Sequence, residues 1–200
     1  MTDAMLMQAR RAAPALHFDG WTSTSGPSSI QGAEDGEAAT PPLLDLVEAA
    51  ASSGAAGIII GCFDDTALHE AAARVPCPVI GLGQASYHYA ALRAWRFSIV
   101  TTLAVSVPIL EHNVRHQGLG PYLGRVRASN VPVLALEADP EGASKKVVNE
   151  ALRAQEIDDI SAVILGCAGM VQVVENVEQA LKIHVIDPVA CAAGCMAWMT

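Results

Sequence analysis

The chain has 200 residues, 52% of them hydrophobic and 16% charged, with a net charge of −9. It is apolar enough for a sizeable core, which excludes a disordered chain. The acidic balance excludes nucleic acid and anionic membrane surfaces as partners, because both need a basic footprint.

Aromatics are only 4%, while Ala, Val, Ile and Gly are abundant, a mixture that suits buried parallel strands under small-residue helices. In chain order the pattern predicts a helix over about 2–13 and a strand near Leu16 to Thr22. The loop Ser25 to Gly32 leads to a helix beginning after Pro41-Pro42, where proline suits the first turn. A strand at Ile58–Gly61, a helix from Thr66 to Arg74, a strand at Pro78–Leu82 and a helix from Ala85 to Ala94 follow. Phe97–Thr102 reads as a strand. A helix then places Leu103, Val107, Leu110 and Val114 on one stripe, with Glu111 and Arg115 paired outside it. An extended run over Arg125 to Leu136, a helix at 143–155 and the strand Ala162–Gly166 come next. Met170, Val174, Val177 and Leu181 form a helical stripe, His184 to Ile186 a last strand, and a small-residue helix closes the chain.

The order repeats. Gly57-Ile58-Ile59-Ile60-Gly61-Cys62 resembles Ala162-Val163-Ile164-Leu165-Gly166-Cys167, and Val79-Ile80-Gly81 resembles Val185-Ile186-Asp187 at an interval differing by one residue. Two homologous halves account for this, and alternating strands and helices imply parallel sheets with right-handed crossovers. The expected fold is α/β, with two doubly wound parallel-sheet domains related by a pseudo-twofold. The counterpart of Phe97–Thr102 falls before Met1, so the first strand of the N-terminal domain is expected to be missing from the chain.

No run reaches the ~20 apolar residues of a membrane helix. The longest candidate, Ser98 to Leu110, contains Pro108, and the N-terminus lacks the charge order of a signal peptide. A cytoplasmic protein is expected, with its five cysteines reduced.

Cys62 and Cys167 sit at strand carboxyl ends, where open parallel sheets bind ligands. A helix start close behind each would favour the thiolate over its ordinary pKa of about 8.5. Two matched acid–base groups facing one cleft suit the removal of a proton from one face of a carbon acid and its return to the other. Backbone N–H groups at helix starts can hold the developing oxyanion without a metal or cofactor.

The stretches GPSSIQG at 26–32, IIIGCFDD at 58–65, RFSIVTTLAVSVPILE at 96–111, NVPVLALE at 130–137, ILGCAGM at 164–170 and VIDPVA at 185–190 resemble the Asp/Glu racemase superfamily and, within it, the hydantoin racemase branch, which includes allantoin racemases. The resemblance implies two flavodoxin-like domains, 1–96 plus 187–200 and 97–186, with the active site between them and the last helix returning to the first. It implies the catalytic pair Cys62 and Cys167. Phe63, Thr101, Thr102, Ala168 and Gly169 would hold a small-molecule substrate, with Ile30 shaping the pocket. It also implies no cofactor, no metal and a homo-oligomer. Hydantoins or allantoin are the expected substrates; amino-acid racemisation, maleate isomerisation and a ligand-binding or inactive homologue are the alternatives.

Other residues point to structure. Cys191 and Cys195 share a helical face but lack further ligands, so core packing is expected. His112 and His116 lack the intervening Glu of a zinc-protease helix. Asp64 and Asp65 are expected as caps for the helix after them, with at least one pointing away from Cys62, since a carboxylate beside the thiol would raise its pKa.

Overall fold

A computed structural model describes all 200 residues. Nine α-helices run in order: α1 Thr2–Ala12, α2 Ala33–Ser52, α3 Leu68–Arg74, α4 Leu82–Leu92, α5 Val107–His116, α6 Ala135–Ala138, α7 Pro140–Ile157, α8 Val174–Ala180 and α9 Pro188–Met199. Six strands alternate with them: β1 Ile58–Ile60, β2 Val79–Gly81, β3 Phe97–Thr101, β4 Leu123–Ala128, β5 Ala162–Gly166 and β6 His184–Ile186. The fold is α/β with parallel sheets: β1 pairs with β2, and a second sheet has the order β4-β3-β5-β6.

Every residue of β3 and β5 is buried. That matches their branched runs, because strands covered by helices on both faces bury both sets of side chains. The register sets Thr101 opposite Gly166, so Thr102 and Cys167 emerge together at the carboxyl edge. In the smaller sheet Ile60 lies opposite Gly81, and Cys62 and Gly83 follow their strands by the same two residues. Helix α9 packs on α1 and α4 and reaches β1, β2 and β5. One core cluster joins Phe63, Ile80 and Tyr87 to Phe97, Ile99 and Ile164, so apolar packing is continuous between the two sheets.

Four expected elements differ. Leu16 to Thr22 forms no strand. Leu16 and Phe18 pack on the core and Arg10 donates to the Phe18 carbonyl at 2.8 Å, but no strand lies alongside to complete a ladder. Helix α2 starts at Ala33, not after the prolines, and carries Pro41 and Pro42 inside it. Their missing N–H groups deprive the carbonyls of Glu37 and Ala38 of in-helix donors. The extended run expected to Leu136 stops at Ala128; Val131, Val133 and Leu136 instead bury themselves from a turn and α6. The stripe from Met170 to Leu181 divides into a 3-10 turn at Ala168–Gln172 and α8.

An ion network ties β4 to α7 and to the loop after it. Arg127 grips Asp158 with two N–H groups at 2.6 and 2.5 Å and reaches Glu150 at 2.8 Å, while the Ser98 hydroxyl donates to Asp158 at 2.7 Å. Burial alone would raise the Asp158 carboxyl, but the hydrogen bonds from Arg127 and Ser98 hold it below the ordinary carboxylate value. No helix is long and apolar enough to cross a membrane.

Candidate active site

Cys62 ends the first branched run and Cys167 the second, each one residue past a glycine. Gly166 is required there: a Cβ would lie 2.7 Å from the Ile99 side chain and 3.1 Å from the Thr101 backbone. Both cysteines are half-buried and reduced. The charge of Cys167 is felt at Cys62, so the two sulfurs share one electrostatic environment.

The helix-start expectation needs correction for Cys62. A turn of five residues separates it from α3, because Thr66 turns back and donates its hydroxyl to the Cys62 sulfur at 3.3 Å. Asp65 and Ala67 adopt left-handed backbone at φ 53° in this turn, a region unfavourable to a residue with a Cβ, alanine especially. Cys167 does precede a helical turn, and the N–H groups of Gly169 and Met170 favour its thiolate.

The expected lowering of both thiols is also overturned. Burial pushes Cys62 up to about 12, with the Asp64 charge acting in the same direction and the Thr66 hydrogen bond opposing it. Burial pushes Cys167 up to about 11, against its backbone donors. Desolvation of a thiolate at these half-buried positions outweighs a few N–H dipoles. The two thiols end close to one another in strength, as an exchanging acid–base pair requires.

Asp65 and Asp64 divide their tasks. Asp65 points away from the sulfurs and caps α4 rather than the helix that follows it, accepting from the N–H of Gly83 at 2.9 Å and of Gln84 at 2.7 Å. A Cβ on Gly81 would lie 2.0 Å from the Asp65 carboxyl, and one on Gly83 2.6 Å from the Phe63 carbonyl, so both glycines are needed for that approach. Burial pushes the Asp65 carboxyl up to about 7 despite these donors. Asp64 faces the site. Its charge raises both Cys62 and Cys167, and burial pushes its own carboxyl up to about 6.

The expected substrate contacts take varied positions. Phe63 is buried edge-on to Tyr87, with ring centroids 5.7 Å apart. Thr101 is buried and donates its hydroxyl to the Gly166 carbonyl at 3.0 Å, while Thr102 is buried beside it. Ala168 and Gly169 are buried in the turn behind Cys167. Ile30 is half-buried in a loop stapled to the segments that follow β4 and β3, where Gln31 accepts from the Val133 N–H at 3.1 Å and Gly32 lies against Val105. From the other side, Asn113 of α5 donates to the Asp64 carbonyl at 2.9 Å. The sequence reading did not single out Thr66 or Asn113. Thr66, four residues after Cys62, carried a local signal; Asn113 carried none, since its contact crosses 49 residues.

A cavity of about 890 Å³ lies elsewhere, among α1, α4, α8 and α9, and neither Cys62 nor Cys167 lines it. Cys191 and Cys195 do, half-buried and against the core as expected. His112 and His116 are exposed and stack at 5.5 Å, with His69 of α3 beside them.

Comparison with known proteins agrees with the fold. The family model described as Asp/Glu/Hydantoin racemase matches residues 1–196. A hydantoin racemase of Rhizobium meliloti is 38% identical over 176 residues, 88% of this chain and 73% of that protein. One from Pseudomonas sp. (strain NS671) is 33% identical over 82% of this chain and 66% of its own length. Among solved structures, allantoin racemase from Klebsiella pneumoniae superposes with a TM-score of 0.87 at 31% identity, covering 99% of this chain and 83% of that one. Glutamate racemase from Francisella tularensis, at 15% identity, TM-score 0.68 and coverage of 98% and 75%, shares the fold. Racemases are isomerases, and this chain belongs to the Asp/Glu/hydantoin racemase family.

Proposed function

We propose that the protein is a cofactor-independent racemase in which Cys62 and Cys167 act from opposite faces of a carbon acid, most readily a 5-substituted hydantoin or allantoin. The observation that carries this reading is the placement of two Gly-Cys strand ends in one electrostatic environment with thiols of similar strength. One sulfur as thiolate removes the C5 proton, and the other as thiol returns a proton to the far face. The ring carbonyl beside C5 takes up the negative charge, and backbone N–H groups of the turn after Cys167 are candidate donors for it. The names of the relatives support the substrate class.

In this reading residues 1–96 with 187–200 and residues 97–186 are two flavodoxin-like domains related by a pseudo-twofold, and α9 returns to the first. Its packing on α1 and α4 supports that division. Phe63, Thr101, Thr102, Ala168, Gly169 and Ile30 surround the substrate, mainly through main-chain groups. The protein acts in the cytoplasm, where its five cysteines stay free, and copies associate through apolar surface such as the exposed Leu92 and Trp198.

A single enantiomer of a 5-substituted hydantoin, incubated with the protein in D2O, should lose optical rotation as deuterium enters C5, faster than in protein-free buffer. Rotation decaying at the protein-free rate for hydantoin and allantoin alike would overturn the proposal.

A further inference from the structure

Tyr87 of α4 is fully buried, yet its hydroxyl has no hydrogen-bond partner among the groups of the protein. Its ring is held on two sides, edge-on to Phe63 at 5.7 Å and stacked on Phe97 at 6.0 Å. The hydroxyl cannot swing towards another partner without losing that packing. A buried hydroxyl left unpaired is costly, and such groups in folded proteins bond a side chain, the backbone or an enclosed water.

Two further oxygens meet the hydroxyl where it points. Tyr87 Oη lies 2.8 Å from the position that a Cβ on Gly83 would take; Asp65 Oδ2 lies 2.8 Å and the Phe63 carbonyl oxygen 2.6 Å from the same position. Three oxygens therefore converge beside the bare Cα of Gly83. Their hydrogen-bonding capacities are complementary. Tyr87 has one proton to give, whereas the Phe63 carbonyl and the Asp65 carboxylate only accept. One water accepts from Tyr87 and donates to the other two, and three bonds is the usual number for an enclosed water. A cation suits the place less well, because the first N–H groups of α4, on Gly83 and Gln84, already point at Asp65 and carry the positive end of the helix.

The acceptors belong to the turn that carries Cys62. Phe63 follows Cys62 directly, and the Asp65 N–H closes the turn on the Cys62 carbonyl at 3.2 Å, with Asp65 in left-handed backbone at φ 53°. A water held by Phe63 and Asp65 and anchored on Tyr87 locks this turn to α4 and to the ring stack that reaches Phe97 at the start of β3.

We infer that these three oxygens enclose a bound water, and that through it Tyr87 is a positioning residue for Cys62. This rests on the racemase reading of Cys62 and Cys167 and deepens it, because it names what holds one of the two sulfurs in place.

Tyr87→Phe removes the hydroxyl and keeps the ring, and Asp65→Ala removes one acceptor. A crystal structure of the wild type, at a resolution that shows ordered water, should place one water about 3 Å from all three oxygens. In Tyr87→Phe, kcat on a 5-substituted hydantoin should fall about tenfold or more while KM stays within about twofold, since a displaced acid–base group harms the chemical step rather than binding. In urea, Tyr87→Phe should raise the unfolding equilibrium constant about 5- to 30-fold in the wild type and less than about threefold in Asp65→Ala, because the two residues share one partner. A wild-type site without that water would overturn the site. A Tyr87→Phe variant whose kcat stays within about twofold of wild type, or whose loss of stability is the same with and without Asp65, would overturn the role of Tyr87. A wild type with no turnover of any hydantoin would instead overturn the reading beneath it; the water and the coupling to Asp65 are read without turnover.

Discussion

Replacing Asp65 by alanine and by asparagine separates two opposed effects of one buried carboxyl. Its oxygens cap α4 through the N–H groups of Gly83 and Gln84, and losing such a cap costs about 0.5–2 kcal/mol. Burial works against the charged form, moving the carboxyl from its ordinary 3.8 to about 7. That displacement destabilises the ionised fold by as much as about 4 kcal/mol. The sign follows from linkage. A carboxyl raised in the folded state imposes no penalty below its unfolded pKa, an increasing one as pH rises, and the full one above about 7. Between about pH 5.5 and about pH 8.5 the wild type should therefore lose about 2 kcal/mol through this residue, with Asp64, raised to about 6, adding in the same direction. Asp65→Asn keeps a cap acceptor and loses the charge; Asp65→Ala loses both. Urea unfolding followed by far-ultraviolet circular dichroism at the two pH values reads the result. Both variants should show a flatter pH dependence than the wild type, with asparagine above alanine by about 0.5–2 kcal/mol throughout. Equal stabilities for the two variants, or a wild type that gains stability relative to Asp65→Asn as pH rises, would refute the reasoning.

Arg127→Met should destabilise the fold by about 3–5 kcal/mol in denaturant titrations, because it leaves Asp158 buried without its cation, while half-buried Glu150 keeps only Arg153. Ala67→Gly should raise the melting temperature, relieving up to about 1 kcal/mol of left-handed strain at φ 53°. If its hydantoin kcat/KM also stays near wild type, the strain is not needed for activity. With thiols raised to about 11 and about 12, the thiolate is scarce near neutrality, and kcat/KM should climb roughly tenfold per pH unit between about pH 6.5 and about pH 8.5. A flat profile would show that the reacting thiol titrates below that window.

Three of the four strands of the second sheet were legible, while the run expected to Leu136 became the shorter β4. β3, β5 and β6 lie within one residue of their expected bounds, because buried branched runs flanked by helical stripes leave few other readings. The smaller sheet was legible only where strands find partners: Ile58–Ile60 and Val79–Gly81 pair with each other, while Leu16 to Thr22 has the composition of a strand and nothing beside it. Pro41 and Pro42 read locally as a helix start, but one helix, α2, continues across them. At the site, the repeated Gly-Cys ends pointed to the two cysteines proposed as the acid–base pair. What lay outside reach was burial, which sets the direction of their pKa, and long-range pairing, such as Asp65 with α4 across 18 residues and Asn113 with the Asp64 carbonyl. Neither leaves a mark in local spacing.

The two-sulfur account is tested most directly by following one enantiomer of a 5-substituted hydantoin in D2O, early in the reaction, with wild type, Cys62→Ser and Cys167→Ser. The wild type should deliver an opposite enantiomer labelled at C5 while the remaining starting enantiomer stays largely unlabelled, and each folded variant should racemise at least about 1,000-fold more slowly. Racemisation near the wild-type rate by either variant, or equal early labelling of both enantiomers by the wild type, would contradict it.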